Sequence, residues 1–209
     1  MGHLSWSVPT ADGSCRSARS EPRDGRISYV LTGTPGAGKT SILRRLEALG
    51  YDVVDEAATD VIARRQAAGD PEPWLRESFI DDIVATQRRR QERAALSTGT
   101  VQVYDRSPIC TVALSTYVGR PVSRALSEEI DRITREQIYQ PVVFFVRNLG
   151  FCRPTAARRI SFEDSLEFER IHEETYRAFG YDLADVPAAT LGERVEAVDT
   201  TIRTATRRS

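Results

Sequence analysis

The sequence predicts an α/β fold, a three-layer sandwich in which a five-stranded parallel sheet is covered by helices on both faces. Five short apolar runs alternate with longer segments whose apolar residues recur every three or four positions, as strands alternate with amphipathic helices. One run, Val142–Val146, is apolar at every position, which is typical of a parallel strand buried on both faces. The 209 residues suffice for one such domain with a full core and are too few for two.

These runs, and the turn and cap residues between them, place the individual elements. The predicted strands are 27–32, 51–55, 101–105, 142–146 and 181–186. The predicted helices are one over 41–49 that ends at Gly50, one around Val61, one over 74–96, one from Ser107-Pro108 to near Gly119, one over 127–139, one that a capping box opens at Ser161 and that ends near Phe179, and a last one through Ile202.

Residues 1–26 are rich in Ser, Arg, Gly and Asp and have no hydrophobic periodicity. They are predicted to be a disordered leader before one folded domain over 27–209. The net charge of −1 predicts no nucleic-acid partner and no binding to acidic membranes, and no apolar run approaches the roughly 18 residues of a membrane span. The three cysteines are too scattered for a zinc or disulfide pattern, so a reducing cytoplasm is the expected location.

A glycine-rich turn lies between the first predicted strand and the first predicted helix. It fits the phosphate-binding P-loop pattern G-x-x-x-x-G-K-[ST] at every fixed position and reads Gly33-Thr34-Pro35-Gly36-Ala37-Gly38-Lys39-Thr40. Its glycines let backbone N–H groups surround phosphates, and the helix N-terminus adds partial positive charge. Lys39 is expected to reach the β- and γ-phosphates and the Thr40 hydroxyl to ligate Mg²⁺; Ser41 completes the predicted nucleotide-binding set. The pattern predicts Mg²⁺-dependent binding of ATP or GTP, the alternative being a chance glycine-rich turn.

Polar residues follow the other predicted strands, at the edge where ligands bind in open α/β sheets. Glu56 is a candidate general base for an acceptor hydroxyl, or a carboxylate favoured by the N-terminus of a helix. Asp105 is a candidate ligand of Mg²⁺, as a Walker-B aspartate is, or a strand-end cap. Arg106 is expected to bind an acceptor phosphate, hydroxyl or carboxylate, or to pair with a structural carboxylate.

An arginine-bearing stretch over about 148–161 separates the fourth strand from the next helix. This position predicts a lid that closes over the transferring phosphates, the alternative being a solvated surface loop. Arg158 and Arg159 are nearest to the helix and are the candidate catalytic residues of the lid. His172, in the following helix among glutamates, is interpreted as a surface residue.

Several of these segments together resemble a known family. They are the glycine-rich turn, Val54-Asp55-Glu56-Ala57-Ala58, Asp105-Arg106, Arg158-Arg159-Ile160-Ser161-Phe162-Glu163, and Gly180-Tyr181-Asp182-Leu183 with Val186-Pro187. The span is similar to small bacterial P-loop ATP/GTP-binding proteins of the AAA-domain type and to the ribosylnicotinamide kinase domain, and Asp105-Arg106-Ser107 resembles a triplet of thymidylate and deoxynucleoside kinases. The resemblance implies a nucleoside-kinase-like fold and phosphoryl transfer, with an arginine on acceptor or phosphate, and leaves the acceptor open.

Two functions remain open from the sequence. The first is a small-molecule kinase in which Glu56 activates an acceptor and lid arginines stabilise the transferring group. The second is a nucleotide-dependent switch or slow NTPase that acts through a protein partner. Arg rather than Glu after Asp105 argues against a remodelling ATPase, and the sequence has no Asn-Lys-x-Asp guanine motif and no transporter signature. The presence of both Glu56 and Asp105-Arg106 favours the kinase.

Overall fold

The computed structural model describes residues 26–150 and 161–207. Its five strands are β1 (Ile27–Thr32), β2 (Asp52–Val54), β3 (Val101–Asp105), β4 (Val142–Val146) and β5 (Asp182–Val186). They form one sheet in the order β2-β3-β1-β4-β5, and every pairing is parallel. The predicted fold class is therefore confirmed, and β1 lies in the centre of the sheet with all five strands ending at the same edge.

Seven α-helices cover the sheet within the described residues. They are α1 (Lys39–Ala48), α2 (Ala57–Ala67), α3 (Phe79–Ala94), α4 (Pro108–Tyr117), α5 (Arg124–Arg135), α6 (Phe162–Ala178) and α7 (Leu191–Thr206). One core joins α1 and α7 to the sheet through residues such as Leu43, Leu31 and Val198. The other lies on the opposite face, under α2 to α6, and contains Val30 and Tyr176. Adjacent β1 residues thus belong to different cores, as the alternation of side chains along a strand requires.

The helix predicted over 74–96 is wrong in its first part. The chain forms a short 3₁₀ helix at Pro73–Leu75, becomes extended at Arg76 and begins α3 only at Phe79. The Arg120 side chain donates hydrogen bonds to the carbonyl oxygens of Trp74, Leu75 and Arg76 at 3.1, 3.0 and 2.7 Å. These carbonyls are satisfied by a guanidinium from elsewhere in the chain, which removes the need for a continuous helix.

The predicted bounds of one other helix need correction. Helix α5 begins three residues earlier than predicted because the Ser123 hydroxyl accepts a hydrogen bond from the Leu126 amide at 3.2 Å, as an N-cap does. It ends before Gln137, whose φ of 50° is left-handed and incompatible with a continuing helix. Ser107 does precede α4, but its hydroxyl lies 2.7 Å from the Tyr176 hydroxyl and caps no amide.

Two predictions fall mostly on parts of the chain outside the described residues. Most of the predicted leader (residues 1–25) lies outside the described residues, as does most of the predicted lid, including Arg158 and Arg159. Of the described residues, no helix is long and apolar enough to cross a membrane.

Candidate functional site

The turn between β1 and α1 has the backbone that its glycines permit. Gly33, Gly36 and Gly38 have φ values of 127°, 89° and 84°, a region that other residues adopt only with strain. A Cβ atom on Gly33 would lie 2.3 Å from the Val146 carbonyl oxygen. The turn therefore lies directly against the end of β4, and only glycine fits at its first position.

Lys39 carries the positive charge of this turn, and its pKa is far below the ordinary value. The residue is 5% exposed, and its Nζ donates to the carbonyl oxygens of Gly33 at 3.2 Å and Thr34 at 2.9 Å. Burial, and then the positive charge of Arg106, lower the pKa of Lys39 to about 8, against the opposing effect of Asp105 and Glu56. The Lys39 ammonium therefore lies across the glycine-rich turn and is held there by two of its carbonyl oxygens.

Asp105 ends β3 beside the turn. Its Oδ2 accepts a hydrogen bond from the Thr40 hydroxyl at 3.4 Å, and its buried Oδ1 has no hydrogen-bond partner. Burial and the negative charge of Glu56 raise the pKa of Asp105, although Lys39 and Arg106 oppose them. An orphaned carboxylate oxygen beside a hydroxyl fits a hard cation such as Mg²⁺. Of the described residues, no three His, Cys, Asp or Glu side chains form a metal cluster.

Glu56 and Arg106 form an ion pair between the ends of β2 and β3. Arg106 Nε donates to Glu56 Oε1 at 2.7 Å, and Oε2 of the same carboxylate accepts from the Thr59 hydroxyl at 3.1 Å. Burial by itself raises the pKa of Glu56, but Arg106 and Lys39 outweigh it and hold that pKa below its ordinary value. Glu56 also occupies the N-cap position of α2, yet its side chain caps no amide.

The backbone of Arg106 explains how its side chain reaches this position. Its φ of 73° is left-handed, which costs free energy in a non-glycine residue, and its amide donates to the Leu31 carbonyl at 2.9 Å. The bend turns the side chain out of the strand direction immediately after β3. The Asp105 and Arg106 side chains thereby reach the same edge of the sheet as the glycine-rich turn.

His172 is the main residue of this site that the sequence interpretation missed. It is fully buried rather than exposed: Nδ1 lies 2.9 Å from the Phe168 carbonyl oxygen, and Nε2 lies 3.2 Å from Arg106 Nη1. Burial and the charge of Arg106 lower the pKa of His172 to about 3. The neutral imidazole donates from Nδ1 and accepts at Nε2, so it holds the second edge of the Arg106 guanidinium. A single histidine surrounded by glutamates gives no sequence signal for this contact.

Arg147, which directly follows β4, is surrounded by carboxylates of neighbouring elements. Arg147 lies within 3.4 Å of the carboxylates of Glu169, Glu173 and Asp185, and its guanidinium is 4.4 Å from the Phe145 ring centroid. It links β4, β5 and α6. This pairing favours a structural role over a phosphate-binding one.

A cleft opens from the Glu56–Arg106 pair toward α3. It is lined by Val54, Asp55, Gln87, Arg90, Tyr104, Asp105, Arg106 and Tyr139. Its enclosed volume is about 10 Å³, which is close to the space that one water molecule needs. A larger depression of about 600 Å³ on the outer side of α2 and α3, lined by Arg64, Asp82, Ala85, Arg88, Arg89 and Glu92, contains none of these strand-end residues.

Comparisons with known proteins identify the family and the fold that carry these residues. A family model described as AAA domain matches residues 28–194, and no curated protein sequence matches the chain significantly. Deoxyadenosine kinase from M. mycoides, with dCMP and dCDP bound, is similar with a TM-score of 0.57 at 16% identity, over 86% of this chain and 100% of that chain. NadR in complex with NAD and AMP-PNP is similar with a TM-score of 0.63 at 16% identity, over 87% of this chain and 50% of that chain. This chain therefore spans half of that NadR chain, and the likeness shows a shared P-loop kinase-like fold.

Proposed function

The chain belongs to the AAA domain family, and we propose that it is a Mg²⁺-dependent phosphotransferase that moves the γ-phosphoryl group of ATP to a small-molecule acceptor, nucleoside-like or another metabolite. The observation that supports this most directly is the Glu56–Arg106 pair, which lies within electrostatic reach of Lys39. Phosphoryl transfer needs positioned charge on the donor side and an oriented acceptor. The described site supplies residues suited to both.

The donor side consists of the glycine-rich turn, Lys39, Thr40 and Asp105. The backbone amides of the turn, except that of Pro35, which has no N–H, would surround the triphosphate, and Lys39 would exchange the Gly33 and Thr34 carbonyls for phosphate oxygens. Thr40 and the orphaned Asp105 Oδ1 are the ligands that the chain offers to Mg²⁺, which would neutralise charge that develops between the β- and γ-phosphates.

The acceptor side consists of Glu56, Arg106 and the cleft toward α3. The Glu56 carboxylate is ionised at neutral pH and is placed to accept a proton from an acceptor hydroxyl. Arg106 orients that carboxylate and has further N–H donors for an acceptor oxygen, while His172 fixes its second edge. The lid arginines Arg158 and Arg159 remain proposed partners of the transferring group.

The test is consumption of ATP, and of GTP in parallel, in the presence and absence of Mg²⁺ and across a panel of nucleosides, ribosides and other hydroxyl-bearing metabolites. Acceptor-dependent turnover that vanishes in Glu56→Gln, while ATP affinity changes less than about threefold, supports the proposal. Glu128→Gln is the matched control and should leave turnover unchanged, because the one ion pair of Glu128 within the described residues is with the exposed Arg124. Slow hydrolysis that is indifferent to every acceptor would favour the nucleotide-dependent switch instead.

A further inference from the structure

Arg194 has a position that fold stability alone does not explain. It lies in the first turn of α7 and is 3% exposed. Its Nη2 donates to the Ala37 carbonyl oxygen in the glycine-rich turn at 2.6 Å, and its Nη1 lies 2.9 Å from the point that a Cβ atom on Gly38 would occupy. The guanidinium is therefore packed onto the turn that is built to hold phosphates.

No carboxylate neutralises this guanidinium among the described residues. Its buried Nε has no hydrogen-bond partner, and burial lowers the pKa of Arg194 with no acidic group to oppose the shift. The neighbouring Glu193 is exposed and is engaged in the capping box with the Thr190 amide and hydroxyl. By contrast, the guanidiniums of Arg106, Arg132 and Arg147 each contact at least one carboxylate.

The position of Arg194 near the N-terminus of α7 adds a second free-energy cost to that of burying an unpaired charge. The N-terminus of a helix bears partial positive charge and disfavours a cation in its first turn, and a buried charge without a partner is costly. Both penalties disappear when an anion enters next to the guanidinium. Residues that violate the rules of local stability in this way concentrate at functional sites.

We propose that Arg194 is a further nucleotide-binding residue, whose free N–H groups pair with an oxygen of the polyphosphate held by the glycine-rich turn. The inference rests on the proposed nucleotide binding and is independent of the acceptor and of phosphoryl transfer. The Ala37 carbonyl holds the guanidinium next to the turn. When a polyphosphate binds, Arg194 adds positive charge next to Ala37 and Gly38.

The test combines direct binding and unfolding of the full chain. Binding of ATP, inorganic tripolyphosphate and adenosine is measured by calorimetry for wild type, Arg194→Gln, Arg194→Lys and the control Arg203→Gln. Arg203 lies on the same helix, is 57% exposed and pairs with Asp199. We expect Arg194→Gln to weaken the binding of ATP and of tripolyphosphate by a similar factor of at least tenfold and to leave adenosine binding unchanged. The unfolding midpoint of the nucleotide-free variant should equal or exceed that of wild type. Arg194→Lys should recover part of the loss, and Arg203→Gln should match wild type.

Three results would overturn the inference. A lowered unfolding midpoint with unchanged ATP affinity would make Arg194 a structural brace of the turn. An equal loss of affinity for ATP and for adenosine would mean that Arg194 contacts the nucleoside rather than the phosphates. A wild-type chain that binds neither ATP nor tripolyphosphate would remove the inference together with the proposed function, whereas normal Arg194-dependent binding without acceptor turnover would remove the kinase proposal alone.

Discussion

The buried charge of Lys39 should make the empty protein less stable than a variant without it. Its pKa falls from 10.5 to about 8, and each pKa unit corresponds to about 1.4 kcal/mol. The charged lysine therefore costs roughly 3 kcal/mol of unfolding free energy at pH 7, an order-of-magnitude figure. Lys39→Met keeps the aliphatic volume and removes the charge. The two lost hydrogen bonds, each about 1 kcal/mol, offset part of the gain, so we expect the variant to be about 1–3 kcal/mol more stable.

The pH dependence isolates the cause. A lowered lysine pKa means that the folded state binds fewer protons than the unfolded state between pH 8 and 10.5, so wild-type stability rises with pH in that window. The advantage of Lys39→Met should therefore be full at pH 7 and should shrink to zero or reverse by pH 10.5. Urea unfolding of nucleotide-free protein at pH 7, 8.5 and 10 measures it.

Lys39→Arg is the control for this experiment. Arginine stays charged throughout this pH range, so its stability relative to Lys39→Met should not change with pH. A Lys39→Met variant that is less stable than wild type at pH 7, or whose advantage is the same at pH 10, would refute the reasoning. The first result would mean that the carbonyl contacts outweigh the cost of burying the charge.

The remaining predictions concern His172, Gly33 and the reactivity of Lys39. The pKa of His172 falls from 6.5 to about 3, so only the unfolded state gains a proton in that range and wild-type stability should fall as the pH drops from 6.5 toward 3. His172→Gln should reduce this fall by up to several kcal/mol, measured by urea unfolding at pH 7 and 4.5. An identical loss of stability between the two pH values in both proteins would contradict this prediction. Gly33→Ala should destabilise by about 3 kcal/mol or more, since the new Cβ meets the Val146 carbonyl. Gly69→Ala, at a positive φ of 90° with open space around the new Cβ, should cost about 1–2 kcal/mol. Equal thermal shifts would refute the clash. Lys39 is the only lysine of the sequence, so amine acylation of the folded chain at pH 8, followed by mass spectrometry, should modify the α-amino group and Lys39 alone, and ATP should protect Lys39. Unprotected labelling would argue against phosphate contact.

The sheet could be predicted from the sequence because its strands are short apolar runs with clear ends. Three of the predicted strands, 27–32, 101–105 and 142–146, match β1, β3 and β4 residue for residue. The glycine-rich turn could also be predicted, since its geometry depends on glycines at fixed spacings. Local patterns were sufficient where the determinants of the structure were themselves local.

Features that depend on distant partners could not be predicted. The break before α3 depends on Arg120, more than forty residues away from the carbonyls that it satisfies. The burial of His172 depends on Arg106, 66 residues away, and the contact of Arg194 with Ala37 spans 157 residues. Each of the three side chains looks in the sequence like an ordinary surface residue, because nothing local specifies the atom that it meets.

The central position of β1 has a consequence for synthesis of the chain. The glycine-rich turn is translated early, but β1 has no neighbour until β3 emerges, and the Val146 carbonyl that bounds Gly33 arrives only with β4. Such non-local pairing is slow to form. Until it forms, the unpaired backbone edges of β1 and its apolar side chains are exposed to other chains. Nucleotide therefore cannot assist the earliest folding steps, and a ribosome-bound chain stalled before β4 should depend on chaperones, even though its whole glycine-rich turn has already been made.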